Sequence, residues 1–229
     1  MSEHQALWYL ENIDMTGIFC PKKLGRGELD NHAQKIFNKG EYIFLPEEHS
    51  DRVYFITEGR VKMGTYSNTG KEVVKVILHA GEVFGELALV GEEKRRDFAF
   101  AMDDTRVCIL SVQDMRSLMR EYNALSLFIM KLLAGRVVEM EQRLESLVFK
   151  DSRTRIVEFL HELAEKKGHR VGFEREVRRF MTHQDIANLT ATSRQTVTTV
   201  LNELRNKNIL TFNRKRLLVR DMHRLAAEA

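Results

Sequence analysis

The chain has 229 residues, of which 43% are hydrophobic and 30% charged, so it can bury a core as one large domain or two small ones. We find no signal peptide pattern of basic residues followed by an apolar run, and no stretch approaches the roughly 18 apolar residues that a membrane span needs. The two cysteines, Cys20 and Cys108, are too few for a disulfide framework. These features predict a soluble, cytoplasmic protein with no membrane partner. Residues 151–229 carry 16 basic and 10 acidic side chains, so the net charge of +3 is the sum of +6 in residues 151–229 and −3 in residues 1–150. This asymmetry favours a polyanion as the partner of the C-terminal part.

The first half of the chain predicts mainly strands. Residues 1–35 are polar and mixed, which predicts a short helical entry, and residues 37–111 consist of short apolar runs separated by glycines. Short strands at regular spacing with turn residues between them are typical of a β sandwich or jelly-roll barrel. The predicted strands are Glu41–Leu45, Val53–Thr57, Val61–Tyr66, Val73–Leu78, Phe98–Ala101 and Val107–Leu110.

Helical spacing replaces this pattern after Ser111, where a short helix is predicted over Asp114–Tyr122 and a long one over Leu125–Phe149. Apolar side chains recur every three or four residues along the long helix, as in the seam of a two-stranded coiled coil. The seam residues are Ile129, Leu133, Val137, Met140, Leu144 and Leu147. The seam favours a homodimer, although a helix that packs only on its own barrel would also carry an apolar stripe.

A polar segment, Lys150–Arg155, predicts a hinge, after which a second domain begins. The pattern there predicts a helix, a strand, two helices joined by a short turn, and a hairpin with a basic turn, which is typical of a winged helix-turn-helix. The predicted elements are Thr154–Lys167 ended by Gly168, Thr182–Leu189, the turn Thr190–Thr192, Arg194–Lys207, and strands Ile209–Phe212 and Leu217–Val219 around the turn Asn213–Arg216.

The second of the paired helices has the features of a DNA-reading helix. Ser193 is a natural N-cap, and Ala187 is small where the two helices cross. Polar side chains near the start of the helix lie opposite its apolar packing face, where a reading helix enters the major groove. They are Ser193, Arg194, Gln195, Thr198 and Thr199. Arginine can form two hydrogen bonds with guanine, and glutamine can form two with adenine. The alternative is a plain helical hairpin with a solvated face, which would not account for the cap, the small crossing residue and the polar face together.

Phosphates of double-stranded DNA are the expected partners of three further residues. Thr182 and His183, at the start of the first paired helix, are placed to hold phosphates with backbone N–H groups and side chains. Arg214, in the turn of the basic wing, is expected to attract DNA of any sequence.

Together these residues resemble the cyclic-AMP receptor protein/FNR family of bacterial transcription regulators. The resemblance runs from the barrel, through Phe84-Gly85-Glu86-Leu87-Ala88 and the hinge, to Thr182–Leu204. It implies an α+β fold with a cyclic-nucleotide-binding-type β jelly-roll barrel over residues 1–124, a dimerisation helix over 125–150 and a winged helix-turn-helix over 151–229. It further implies a homodimer on a palindromic site, with RNA polymerase as a partner. Because Gln195 and Thr199 replace a glutamate and an arginine common in the family, the half-site should differ from the best-known one.

The resemblance also implies an effector pocket, made of Gly85, Glu86, Leu87, Ala88, Arg95, Arg96, Asp97 and Met140. Gly85 would allow close approach of the backbone to a cyclic phosphate, Glu86 would bind a ribose hydroxyl, and Arg96 would supply the basic side chain. Asp97 falls where the family has a hydroxyl, and two unit charges 4 Å apart repel by about 4 kcal/mol at an effective dielectric constant of 20. Met140-Glu141 likewise replaces a hydroxyl pair. Cyclic AMP is therefore expected to bind weakly or not at all, which favours an altered or empty pocket and leaves the effector unidentified.

Other chemistries are weaker alternatives. An iron–sulfur cluster needs four cysteine ligands, and the chain has two cysteines. Cys20 is better explained as a small packing residue than as a reactive thiol, and His79 as a structural residue than as a haem ligand. A barrel enzyme of the metal-dependent oxygenase type needs two histidines and a carboxylate, but residues 37–111 contain only His49 and His79, with no His-x-His pair. A barrel that binds only a protein partner would leave the helix-turn-helix unexplained. We therefore expect a regulator rather than an enzyme.

Overall fold

A computed structural model of the chain describes residues 33–213 and 215–229. The predictions for Cys20, for Arg214 and for most of the helical entry lie outside these residues. Two compact units meet between Val137 and Val138, inside the long helix. The assignment of 125–150 as a separate dimerisation segment stays a prediction.

The first unit contains two four-stranded antiparallel sheets, in the strand orders β1-β8-β3-β6 and β2-β7-β4-β5. The strands are β1 (Ala33–Phe37), β2 (Tyr42–Phe44), β3 (Arg52–Glu58), β4 (Arg60–Tyr66), β5 (Glu72–His79), β6 (Val83–Phe84), β7 (Phe98–Ala101) and β8 (Thr105–Ser111). All six predicted strands are present, with ends within two residues of the prediction. The pattern missed β6, which is two residues long, and β1, whose residues 33–35 fall within the predicted helical entry but pair with β8 instead.

Apolar residues of alternating strand positions fill two cores in this unit. Tyr54 and Ile56 face the core between the sheets, whereas Val53 and Phe55 of the same strand face helices. These helices are α1 (Val112–Glu121) and the first part of α2 (Asn123–Phe149). Cys108 is buried in the helix-facing core, as its apolar strand predicted.

The long helix α2 divides its apolar stripe between two environments. Leu125 and Ile129 are buried against the barrel, and Leu133 packs beside them. From Val137 onward the stripe is exposed in the single chain, at Val137 56%, Met140 63%, Leu144 59% and Leu147 47%. The first turns of α2 therefore pack on the barrel of their own chain, and the homodimer stays a prediction for the exposed stripe from Val137 onward.

The second unit builds one core from helices and a four-stranded sheet of order β11-β12-β10-β9. After α3 (Ser152–Lys167), the single predicted strand is a hairpin, β9 (His169–Val171) and β10 (Glu174–Arg178). The remaining elements are α4 (His183–Leu189), α5 (Arg194–Asn206), β11 (Leu210–Phe212), β12 (Arg216–Val219) and α6 (Met222–Ala226). The predicted winged helix-turn-helix is confirmed. None of the helices in the described part of the chain is long and apolar enough to span a membrane.

Candidate DNA-reading surface and effector pocket

Local capping interactions set the start of both helices of the helix-turn-helix. The Thr182 side chain accepts a hydrogen bond from Asp185 N–H, and the Asp185 carboxylate reaches back to Thr182, which makes a capping box at α4. Ser193 caps α5 by accepting from Thr196 N–H, as predicted. Between the helices, Ala191 has φ +49° and turns the chain in the left-handed region.

The start of α5 presents a polar face outward from an apolar core. Val197 and Leu201 are buried with Ala187 of α4, which is the small residue predicted at the crossing. Arg194, Gln195 and Thr199 are exposed, as are the capping residue Ser193 and the helix-starting backbone around it. This separation of faces is what insertion into the major groove requires, and base contacts by these side chains stay a prediction.

Thr198 is half-buried because it joins the two helices. Its hydroxyl donates to Arg194 O at 2.9 Å, and its Oγ1 lies 2.9 Å from His183 Nδ1. Since the single hydroxyl hydrogen is used on Arg194, His183 Nδ1 carries the proton and donates to Thr198, which leaves Nε2 as an acceptor in the neutral ring. Burial, together with the charge of Arg194, lowers the pKa of His183.

The predicted phosphate contacts at the start of α4 need correction. The Thr182 N–H and hydroxyl both donate to the Asp185 carboxylate, so neither is available to a phosphate as predicted. The neutral His183 ring has its only N–H committed to Thr198, so its side chain donates to a phosphate only after protonation. In the wing, Asn213 Oδ1 accepts from the N–H groups of Lys215 and Arg216, and the phosphate contact of Arg214 stays a prediction.

In the barrel, Gly85 forms the predicted close-approach point. Its φ of +78° lies in the left-handed region, and an added Cβ would stand 2.9 Å from Arg95 Nη1 and 3.0 Å from Arg52 O. Glycine is therefore required here for two reasons, backbone conformation and space. The short 3-10 helix Glu86–Val90 begins directly after it, with Ala88 buried and Leu87 40% exposed.

Arg95, and not Arg96, is the buried arginine beside Gly85. Arg95 is 5% exposed, and its guanidinium donates to Gly85 O at 3.2 Å and to Arg52 O at 2.6 Å. It also lies over the rings of Phe44 and Tyr54, with centroid distances of 4.5 and 5.6 Å. Burial lowers the pKa of Arg95, an effect that the neighbouring Tyr54 opposes.

The neighbours of Arg95 have other partners than those predicted. Arg96 is exposed and forms an ion pair with Glu92, and its role in the effector pocket stays a prediction. Asp97 forms an ion pair with Lys75 at 2.6 Å, which compensates the negative charge that was expected to repel an anionic ligand. Both residues lie in a bend just before β7, with Glu92 and Lys75 as their ion-pair partners.

Glu86 is the buried carboxylate of the pocket, at 3% exposure. Arg136 of α2 donates to its Oε1 and, at 2.9 Å, to Val83 O. Sequence reasoning missed Arg136, although it lies four residues before Met140 and therefore on the same side of the helix. Met140 itself belongs to the second unit, and its place in the pocket stays a prediction.

Two buried polar atoms of the pocket remain without a partner. Among residues 33–213 and 215–229, neither Glu86 Oε2 nor Arg95 Nε makes a hydrogen bond. Buried polar groups are normally paired, so this acceptor and this donor are exceptions in the barrel. The same part of the chain contains no group of three or more histidine, cysteine or acidic residues that could hold a metal ion.

Comparison with known proteins finds matches for both domains of the chain. A family model of the cyclic nucleotide-binding domain matches residues 34–122, and a model of the Crp-like helix-turn-helix domain matches residues 154–228. The global nitrogen regulator of Synechocystis sp. is 30% identical over 200 residues, which cover 86% of this chain and 88% of that regulator. The CRP-like cAMP-activated global transcriptional regulator of Mycobacterium tuberculosis is 28% identical over 193 residues, 84% of this chain and 86% of that one.

Among solved structures, a CooA mutant from Carboxydothermus hydrogenoformans matches with a TM-score of 0.75 and 25% identity, over 99% of this chain and 96% of that one. The α+β fold and the helix-turn-helix define a DNA-binding transcription regulator with a cyclic nucleotide-binding domain. The chain belongs to the cyclic-AMP receptor protein/FNR family. Its relatives are transcription regulators rather than enzymes.

Proposed function

We propose that this regulator acts in the cytoplasm as a homodimer that binds a palindromic DNA site and works with RNA polymerase. The observation that carries the DNA-binding proposal is the start of α5, where Arg194, Gln195 and Thr199 are exposed on the far side of a helix whose other face is buried. The outward-facing apolar residues of α2 from Val137 to Leu147 support dimerisation. A twofold dimer would present two copies of α5 to two half-sites.

Selection of preferred duplexes from random DNA, followed by fluorescence anisotropy, tests this proposal. Arg194→Ala should cost about 1–3 kcal/mol on the preferred site and relax specificity at one base pair per half-site. Arg205→Ala is the matched control, because Arg205 lies roughly 16 Å further along the same helix and packs on the Phe212 ring at 5.3 Å. Equal losses on preferred and random DNA would contradict a base-reading role for Arg194. Arg214→Ala should instead weaken binding to every sequence and reduce the salt dependence.

We further propose that the barrel binds a small anionic molecule that carries a hydrogen-bond donor. The unpartnered Arg95 Nε would face the anion and the unpartnered Glu86 Oε2 the donor. A cyclic nucleotide has this combination in its phosphate and ribose hydroxyl. The names of the relatives refer to nitrogen regulation and to cAMP activation, so they do not select one effector. A regulator without an effector is the second candidate, favoured by the Arg136–Glu86 pair that already fills part of the pocket.

Isothermal titration with cyclic AMP separates these candidates. If cyclic AMP binds wild type, Arg95→Met should abolish the binding, because it removes the only buried guanidinium that the described residues place beside Gly85. Arg96→Met is the matched control and should leave binding unchanged, since Arg96 faces solvent and pairs with Glu92. Absence of binding by wild type would exclude cyclic AMP as the effector and leave the DNA-binding proposal untouched.

A further inference from the structure

The hinge between α2 and α3 is only two residues long, Lys150 and Asp151. Lys150 N–H bonds Ser146 O at 3.1 Å and continues the hydrogen bonding of α2, while the Asp151 side chain caps α3 through Thr154 N–H. With so short a connection, a few contacts at the hinge decide the direction in which the second domain leaves the long helix.

Arg155 joins this hinge to the turn of the helix-turn-helix. Its guanidinium donates to Lys150 O at 2.6 Å, to Thr190 O at 3.0 Å and to Ala191 O at 3.2 Å. All three acceptors are carbonyls at or just past the C-terminal end of a helix, where backbone carbonyls lack helical partners and carry partial negative charge. A planar guanidinium with five N–H donors can bond three separate carbonyls, whereas a lysine ammonium on a flexible chain holds such a geometry less rigidly.

We infer that Arg155 is a positioning residue that fixes the direction of the DNA-reading helix relative to the long helix α2. This inference rests on the proposed function, because it concerns how two reading helices are held apart in a dimer. The fold of the helix-turn-helix does not depend on Arg155, since Ile156 and Leu160 of α3 share one buried core with Ile186 and Leu201. Loss of Arg155 should therefore leave each reading surface intact and loosen only its connection to the hinge.

The distance between half-sites is the property that such a loss should change. One base pair inserted at the centre of a palindrome moves the half-sites apart by roughly 3.4 Å and rotates them by about 35°. A dimer with a fixed hinge binds the longer site poorly, and a dimer with a loosened hinge adapts to it. Base reading within one half-site involves α5 alone and should not change.

The experiment uses the full chain and its selected palindrome, with no insertion and with one inserted base pair. Wild type should prefer the original spacing by at least about tenfold, and Arg155→Met should reduce that preference to about twofold by weakening binding to the original site. Arg155→Lys should give an intermediate preference, because it keeps the charge without the three-way geometry. The affinity ratio for a single base substitution within a half-site should equal that of wild type in both variants.

Arg153→Met is the matched control. Arg153 lies two residues earlier on α3, but its guanidinium binds the carboxylates of Glu203 and Glu228 rather than the hinge, so the spacing preference should stay that of wild type. The inference would be overturned if Arg155→Lys and folded Arg155→Met both kept the spacing preference of wild type. A change in melting temperature without a change in spacing preference would leave Arg155 a purely structural residue. If wild type itself binds no palindrome, the proposed function fails instead, which the selection step reveals independently.

Discussion

The effector pocket and the DNA-reading surface each depend on an arginine, but the two arginines are held in opposite ways. Arg95 is 5% exposed and is fixed by two backbone carbonyls and two aromatic rings. Arg194 is exposed at the start of a helix whose buried side is entirely apolar. Groups that meet a small enclosed ligand must be part of the fold, whereas groups that meet a large external ligand can be added to a fold that is already complete.

This difference predicts which measurement each substitution changes. Removing a buried charged partner should lower the free energy of unfolding, because it leaves a buried group unsatisfied. Removing an exposed side chain of the DNA-reading surface should lower only the affinity for DNA. The long helix α2 combines both situations, with Leu125 and Ile129 buried in the barrel core and Val137 and Leu144 exposed.

The largest effect should follow from changing the exposed half of α2. In the double variant Val137→Asp with Leu144→Asp, two charges would enter the proposed dimer seam, so we expect monomers by analytical ultracentrifugation. Affinity for the palindrome should fall at least about a hundredfold, since joining two binding modules contributes roughly 10²–10⁴ to overall affinity. Gln113→Asp with Ser117→Asp adds the same charge at exposed positions of α1 and should remain dimeric. A dimeric Val137/Leu144 variant would place the interface elsewhere.

The next largest effect should come from the Arg136–Glu86 ion pair, in which the carboxylate is buried and the guanidinium is half-buried. Arg136→Met leaves the Glu86 carboxylate without the partner of its Oε1, and we expect a loss of about 3 kcal/mol in the free energy of unfolding. The double variant Glu86→Gln with Arg136→Met should recover at least half of that loss, since it removes the buried charge. Arg194→Ala should stay within about 0.5 kcal/mol of wild type in the same urea titration. Equal stability losses for Arg136→Met and Arg194→Ala would erase the contrast between the two regions.

The smallest effect should be a pH dependence of the free energy of unfolding that comes from His183, a residue intermediate between the buried and the exposed arginines. Its pKa is lowered from 6.5 by burial and by Arg194, so the unfolded chain binds a proton at a higher pH than the folded one. The free energy of unfolding should therefore fall as the pH drops through 6.5 and level off below the folded pKa. His183→Asn should lack this component, so urea titrations between pH 8 and 5 should show wild type losing more stability than the variant. Parallel curves would mean that His183 does not resist protonation in the fold.

Much of the second unit was predictable from sequence because its signals are local. The cap at Ser193, the small residue Ala187 and the buried positions of α5 all follow from helical periodicity and capping chemistry, which involve residues only a few positions apart. The positions of the six predicted barrel strands were accessible for the same reason, because their apolar runs and flanking glycines are local signals. The two-residue strand β6 was not, because its strand character comes from pairing with β3 and not from its own sequence.

The pocket was predicted less well because its partners are distant in the chain. The sequence placed both Arg95 and Arg96 in the pocket and favoured Arg96 for the basic role, whereas Arg95 is the one buried beside Gly85, through contacts with Arg52 and Phe44 that are distant in the chain. Arg136 lies 50 residues from Glu86, and Lys75 lies 22 residues from Asp97, so neither ion pair has a local sequence signal.

The sequence by itself determined the α+β architecture, the order of barrel, long helix and winged helix-turn-helix, and the polar face of α5. Short-range periodicity and capping are sufficient to predict these features, because the spacing of apolar residues and the helix caps involve residues only a few positions apart. Only the tertiary structure decided which arginine is buried beside Gly85, which half of α2 is buried, and that Arg155 connects the hinge to the turn at Thr190 and Ala191. A buried charge takes the partner that folding brings within a few ångströms, and that distance is set by packing rather than by separation along the chain.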